Sequence, residues 1–406
     1  MIARSYCFPL VLFISLVLGG ITGFFSPGGA QSLKPLGDIF IHVMLLAVVP
    51  LVFFGVSSAI MQSAPRAYKT IFFYIIIVFF CTSVIASLFA LIGLSFFPFP
   101  PGNALWATSE KAASVDFFHQ IVDVLTVPDF FSLFSYQHIL PLMLFSILIG
   151  FSVALLGKKG KRFARFLEFG NTTSVQFFKL IMYYAPVGFF SYFAVLVATI
   201  GAQTVDGYLR AMAIHSILTL FYFVFVLTGY AYFAKKRKGV LLFWKNISLS
   251  ATTALATCSS AASIPANIVA TQQMAVSKEV SEIVVPLGAV IHKEGSVIGS
   301  VIKIAFLFSL FHLPFSGSAA WLMAIGVSLL EGAIIGAIPS GGMIGELFIV
   351  SIYGFPQSAL MPIVAIAVLI DPLATMLNVT ATAANAMIVD RFVKDARDVG
   401  ATTASI

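Results

Sequence analysis

Charge is what this sequence has least of. Asp, Glu, Lys and Arg make up 10% of its 406 residues, against 60% hydrophobic residues and a mean hydropathy of +1.03. A soluble domain carries roughly 25% charged residues, so this chain has too little polar side chain to cover a water-facing surface. Cysteine is equally scarce. Cys7, Cys81 and Cys258 lie in apolar or Ser/Ala-rich surroundings without metal-ligand spacing, which excludes a disulfide framework and a cysteine metal centre. No cofactor and no metal are expected. The net charge of +7 sits in short clusters between apolar runs and is not spread along one face, which sets nucleic-acid binding aside.

What is present is a series of apolar runs long enough to cross a hydrocarbon core of about 30 Å. They cover roughly 8–25, 36–61 (with Pro50), 71–97, 139–156, 175–200 (with Pro186) and 211–233. A polar, aromatic loop with short helical pieces occupies 103–138. The first run lacks a small-residue cleavage site and is expected to be a mature helix rather than a signal peptide. Arg4, Arg66, Lys69, the basic cluster from Lys158 to Arg165 and the cluster from Lys235 to Lys238 alternate with loops that carry mainly Lys34, Lys111 and Arg210. By the positive-inside rule both termini are cytoplasmic.

Beyond Gly239 the pattern changes. Residues 248–263 are rich in Ser, Thr and Ala, and Pro265 follows. A helix over 283–311 is interrupted by HKEGS at 292–296, and a second apolar stretch, 319–355, is broken at Gly336, Pro339, Ser340, Gly341 and Gly342. The last span, 359–389, contains Asp371, Pro372 and Asn378. A re-entrant segment followed by a helix thus occurs twice, over 240–312 and 319–393. Non-helical backbone at membrane depth is tolerated only inside protein or along a wet cavity, and paired broken segments mark a transporter's binding site.

His292, Lys293, Glu294 and Asp371 fall inside apolar helix, where each charge costs about 2.5–3.5 kcal/mol. They are read as cavity-facing. The structural alternative is an ion pair of Lys293 with Glu294 or Asp371. Gly295 is expected to loosen the helix beside them. Lys303 reads as snorkelling to the interface, and Glu331 and Glu346 as solvated positions flanking the Gly-rich break. His138, His215 and His312 receive no role.

The segments KPLGDIF (34–40), VPLVF (49–53), YAPVGFF (184–190), SSAASIP (259–265), VPLGAVI (285–291) and NVT (378–380) together resemble the dicarboxylate/amino acid:cation symporter family. The resemblance covers nearly the whole chain. It implies an all-α integral membrane protein with eight transmembrane helices, two re-entrant hairpins (about 240–276 and 319–353), inverted repeats and an elevator mechanism in a homotrimer. The implied division is scaffold at 1–66 and 139–205, and transport domain from span three (67–138, with its loop), span six (206–239) and the core 240–393, followed by a cytoplasmic tail, 394–406.

The resemblance also implies substrate contacts at Ser259, Ser260, Ser296, Ile338, Gly342, Asp371, Ala374, Thr375 and Asn378. Asp371 is the partner of a substrate amino group. Coupling-cation positions fall at Thr82, Ser83, Gly288, His292, Lys293, Glu294, Asn378 and Thr382. Several depart from the family pattern. Ala374 stands where acidic-substrate members carry an arginine, a geometry-specific carboxylate partner. The NMDGT motif reads HKEGS, a sodium-binding aspartate is Thr382, and a tyrosine ligand is Phe79. Sodium needs oxygen ligands that an ammonium cannot supply. The expectation is therefore a symporter of a small neutral amino acid in a bacterial inner membrane. It would be sodium-independent, with the His292–Lys293–Glu294 group carrying a proton. The alternative is uptake of an acidic amino acid or dicarboxylate, proton- or sodium-coupled, with Lys293 taking over the arginine's task. An intramembrane hydrolase built from Ser259, Ser260 and His292 lacks a nucleophile-elbow pattern, and a channel or receptor with degenerate sites is the other class weighed.

Overall fold

The computed structural model describes residues 2–62, 69–99, 126–135, 138–200, 203–337 and 342–404; these are helices, turns and bends, with no strand among them. The first four apolar runs become α1 (Ile2–Phe25), α3 (Lys34–Gln62), α4 (Lys69–Phe96) and α6 (Ile139–Leu156), with short connectors α2 (Pro27–Ser32) and α5 (Phe130–Leu133). Pro50 sits inside α3 without ending it.

By length and apolarity, three stretches among the described residues qualify as membrane spans, Ile71–Phe96, Asp206–Asn246 and Gln357–Ala396; a fourth qualifies if Leu144–Ile181 and Ala185–Thr199, bent by 55°, count as one. That measure does not reproduce the expected eight. The fifth run is split between α7 (Lys161–Met182) and α8 (Ala185–Ile200), with Pro186 in the first turn of α8, where its missing N–H costs nothing. The sixth comprises α9 (Gln203–Phe221), a π turn over Tyr222–Val226, and α10 (Leu227–Asn246). α10 breaks at Lys235 and Lys236 (φ 54°), where the basic cluster begins.

α11 (Ser248–Thr257) and α12 (Ile264–Gln273) form a helix–turn–helix. Cys258, in the left-handed region at φ 47°, ends the first arm, and Pro265 opens the second. α13 (Lys278–Ile291) and α14 (Glu294–Leu310) follow, then α15 (Ser318–Ala337) and α16 (Gly342–Ile352) on either side of 338–341. α17 (Leu360–Ala404) is continuous. Pro372 lies inside it without ending it, since the helices packed around it hold the turn that Pro372 weakens.

α1, α3, α6, α7 and α8 pack on one another, and α17 packs against α4, α9–α14 and α16. The α1–α8 contact depends on glycine: a Cβ on Gly19 would lie 2.4 Å from the Phe190 carbonyl oxygen, and one on Gly23 2.2 Å from that of Ala194. Small residues of this kind bring helix backbones together where lipid supplies no hydrophobic drive. α14 is apolar on nearly all sides and is buried from Glu294 to Leu307 except at Ser296, as such a helix must be.

Candidate functional site

The break between α13 and α14 organises the site. His292 (φ −132°, ψ 116°) is extended and Lys293 (φ −142°, ψ 69°) is non-helical; Glu294 then opens α14. Successive side chains on extended backbone point to opposite faces. His292 and Glu294 therefore turn one way and Lys293 the other. The expected His292–Lys293–Glu294 group is divided in two. The loosened residues precede Gly295, which is itself helical.

On one side, His292 Nε2 lies 3.0 Å from Thr82 Oγ1 and 3.3 Å from Glu294 Oε1. Asn385 Nδ2 donates to Glu294 Oε1 at 2.8 Å and to Thr82 Oγ1 at 3.2 Å. All four residues are buried, and among the described residues His292 Nδ1 and Asn385 Oδ1 have no hydrogen-bond partner. Such an arrangement of a carboxyl and an imidazole can hold a proton between them. Thr382 reaches the same region through Gly288, whose absent Cβ would fall 2.5 Å from the Thr382 methyl; the Thr382 hydroxyl itself donates to the Asn378 carbonyl. Ser83 is half-buried beside Thr82.

On the other side, Lys293 Nζ donates to Ser260 Oγ at 2.7 Å, in the turn between α11 and α12. The ammonium is within Coulombic reach of Asp371, yet it forms an ion pair with neither Asp371 nor Glu294 among the described residues. Neither of the ion pairs weighed from sequence forms. Asp371 is exposed, and Thr375 Oγ1 one turn on donates to its Oδ1 at 3.1 Å. Asn378 Oδ1 accepts from the Gly295 and Ser296 amides at 2.8 and 3.2 Å, and its Nδ2 donates to Ser296 Oγ at 3.1 Å. It thereby satisfies the free N–H groups at the start of α14. Ala374 is buried at 5% exposure, and its carbonyl oxygen lies 2.3 Å from where a Gly295 Cβ would be. Ser259 Oγ accepts from the Ala262 amide and shapes the turn. Gly342 is the first residue of α16. Ile338 lies outside the described residues.

The sequence readings of Lys303, Glu331 and Glu346 are corrected. Lys303, expected at the interface, is 3% exposed and pairs with Glu331 and Glu346, both fully buried instead of solvated. His215, given no role, is buried with Nε2 3.4 Å from the Gly295 carbonyl and 3.3 Å from Thr219 Oγ1. Sequence reasoning missed Asn385. Its one signal was a lone amide within an alanine-rich stretch three residues after Thr382.

The described residues are helical, with a polar site where broken apolar helices meet. The chain belongs to the Sodium:dicarboxylate symporter family, whose description matches residues 8–392. It is 26% identical over 408 residues to a proton/sodium-glutamate symport protein of Geobacillus stearothermophilus, covering 94% of this chain and 93% of that protein. A C4-dicarboxylate transport protein of Bacillus subtilis (strain 168) is 25% identical over 88% of this chain and 85% of its own length. The human neutral amino acid transporter A is 26% identical over 62% of this chain and 47% of its own. Family membership makes the chain an integral membrane transporter of an amino acid or carboxylate with a coupling cation.

Proposed function

We propose that this chain is a proton-coupled symporter of an acidic amino acid or dicarboxylate. The observation that carries the reading is the ammonium of Lys293, delivered by the α13–α14 break to the Ser260 hydroxyl. A cation beside a hydroxyl at the helix–turn–helix tip is a carboxylate site, and it replaces the arginine absent at Ala374. The neutral-substrate expectation rested on that absence alone. The full-length similarity to glutamate and C4-dicarboxylate transporters supports the acidic reading, whereas the neutral amino acid transporter matches over a shorter stretch. Asp371 is the ammonium partner when the substrate is an amino acid. His292 and Glu294 carry the coupled proton, because an imidazole and a carboxyl 3.3 Å apart in a buried site pass between net charges when one proton enters or leaves.

In the same reading, α11–α12 and α15–α16 are re-entrant hairpins within a fold of eight spans. The group around α14 and α17 slides as an elevator against a scaffold built from α1, α3, α6 and α8. Three copies assemble through that scaffold in a bacterial inner membrane, with both termini cytoplasmic. Packing that is denser within each helix group than between them supports this division.

The test is uptake into proteoliposomes of labelled aspartate, succinate and serine, each with an inward proton gradient or an inward sodium gradient. Aspartate or succinate should accumulate with the proton gradient alone. Preference for serine overturns the substrate class, and uptake that requires sodium and ignores the pH gradient overturns the coupling.

A further inference from the structure

A second buried set of charges lies further along α14, around Lys303. Lys303 of α14 donates to Glu331 Oε1 of α15 at 2.7 Å and to Glu346 Oε1 of α16. The side chains are 3%, 0% and 0% exposed. Both carboxylates turn one oxygen to the ammonium, and the second oxygen of each, Oε2, is buried with no hydrogen-bond partner among the described residues. The titratable groups facing the cluster from the surrounding helices are His215 of α9 and Asp371 of α17, each within Coulombic reach. From α4 the contribution is uncharged: Ser87 Oγ lies 3.0 Å from Ser328 Oγ of α15.

The charges do not balance when all three groups are ionised. One ammonium and two carboxylates leave a net negative charge in a dry interior, which is unfavourable unless a further cation joins. Like charges that share a site resolve this by retaining one proton between them. The two free carboxyl oxygens offer the place for it. We propose that Lys303, Glu331 and Glu346 form a proton-binding site in which the two carboxyl groups share one proton, and that this proton holds α15 and α16 together on α14. Release of the proton to water leaves two carboxylates, one on each arm, competing for a single ammonium. Their repulsion then works to separate the arms.

Infrared spectroscopy of the detergent-solubilised full chain tests this without reference to transport, so its outcome is independent of the substrate reading. The wild type at neutral pH should show a neutral carboxyl C=O stretch that both E331Q and E346Q lack, because the remaining carboxylate then pairs one to one with Lys303. The melting temperature of the wild type should fall as pH rises through the titration of this site, since the folded chain holds a proton that the unfolded chain releases. That component of the fall should be absent from either variant. K303M, which deprives two carboxyl groups of their cation, should gain a second neutral-carboxyl stretch, and this measurement stands even where a glutamine variant does not fold. Neutral-carboxyl signal unchanged in E331Q and E346Q, or absent from the wild type, overturns the proposal, as does a K303M spectrum without the added stretch.

Discussion

The phenyl ring of Phe79 lies against the imidazole of His292, with ring centroids 4.2 Å apart and planes inclined by 26°. Phe79 comes from α4 and His292 from the break before α14, and Thr82, one turn beyond Phe79, meets the edge of the same imidazole. The ring therefore covers the face of the histidine while the threonine fixes its orientation. Phe79→Ala should destabilise the protein by about 3–5 kcal/mol through the cavity it opens, and it should admit water to His292. Thermal denaturation in detergent measures the first effect, and a shifted pH profile of uptake the second. A stability loss with an unmoved pH profile would confine Phe79 to packing.

Asn385 bridges Glu294 and Thr82 through one amide nitrogen. Asn385→Leu keeps the approximate volume and leaves the buried Glu294 Oε1 without its amide donor. The expected cost is about 1–3 kcal/mol, with a changed dependence of uptake on the proton gradient. Stability and coupling both equal to wild type would remove Asn385 from the site.

Lys293 and Asp371 carry opposite charges toward the same space and are expected to separate by substrate. Lys293→Met should weaken aspartate and succinate binding alike, by the roughly 10- to 150-fold that corresponds to a charged hydrogen bond of about 1.5–3 kcal/mol. Asp371→Asn should abolish binding of amino acids and spare succinate, which has no ammonium group. Calorimetric titration of both ligands on both variants checks the pair. Equal losses for aspartate and succinate in the Asp371 variant would show that it does not read the amino group.

Gly295 brings α14 against α17 at the Ala374 carbonyl, where a Cβ would lie 2.3 Å from the oxygen. Backbone cannot yield as a side-chain tip can. Gly295→Ala should therefore cost about 1–3 kcal/mol and disturb the Asn378 bonds to the Gly295 and Ser296 amides. Substrate affinity should fall with stability. Serine at position 296 replaced by Ala, which removes only the hydroxyl bonded to Asn378, should have the smaller effect.

Much of this could be read from order along the chain. Hydropathy marked α1, α3, α4 and α6, because an apolar run long enough to cross a bilayer has few other solutions. Clustered small and polar residues placed the turn at Ser259 and Ser260, and the charged run HKEGS marked the break before α14. The failures share one cause. Lys303 looked interfacial and Glu331 and Glu346 looked solvated because each was judged against its own neighbours. Their actual partners lie 28 and 43 residues from Lys303.

The sequence by itself determined that this is a membrane protein of one transporter family, and it marked the segments that meet around the break before α14. Composition and local pattern suffice for that, since they express what each segment can bury. Only the tertiary structure decided which way each charge faces. The extended backbone at His292 and Lys293 sends Lys293 to Ser260 and leaves His292 and Glu294 with Thr82 and Asn385. Direction at a helix break follows from dihedral angles and from the helices packed around it, and neither is written in the order of residues along a single segment.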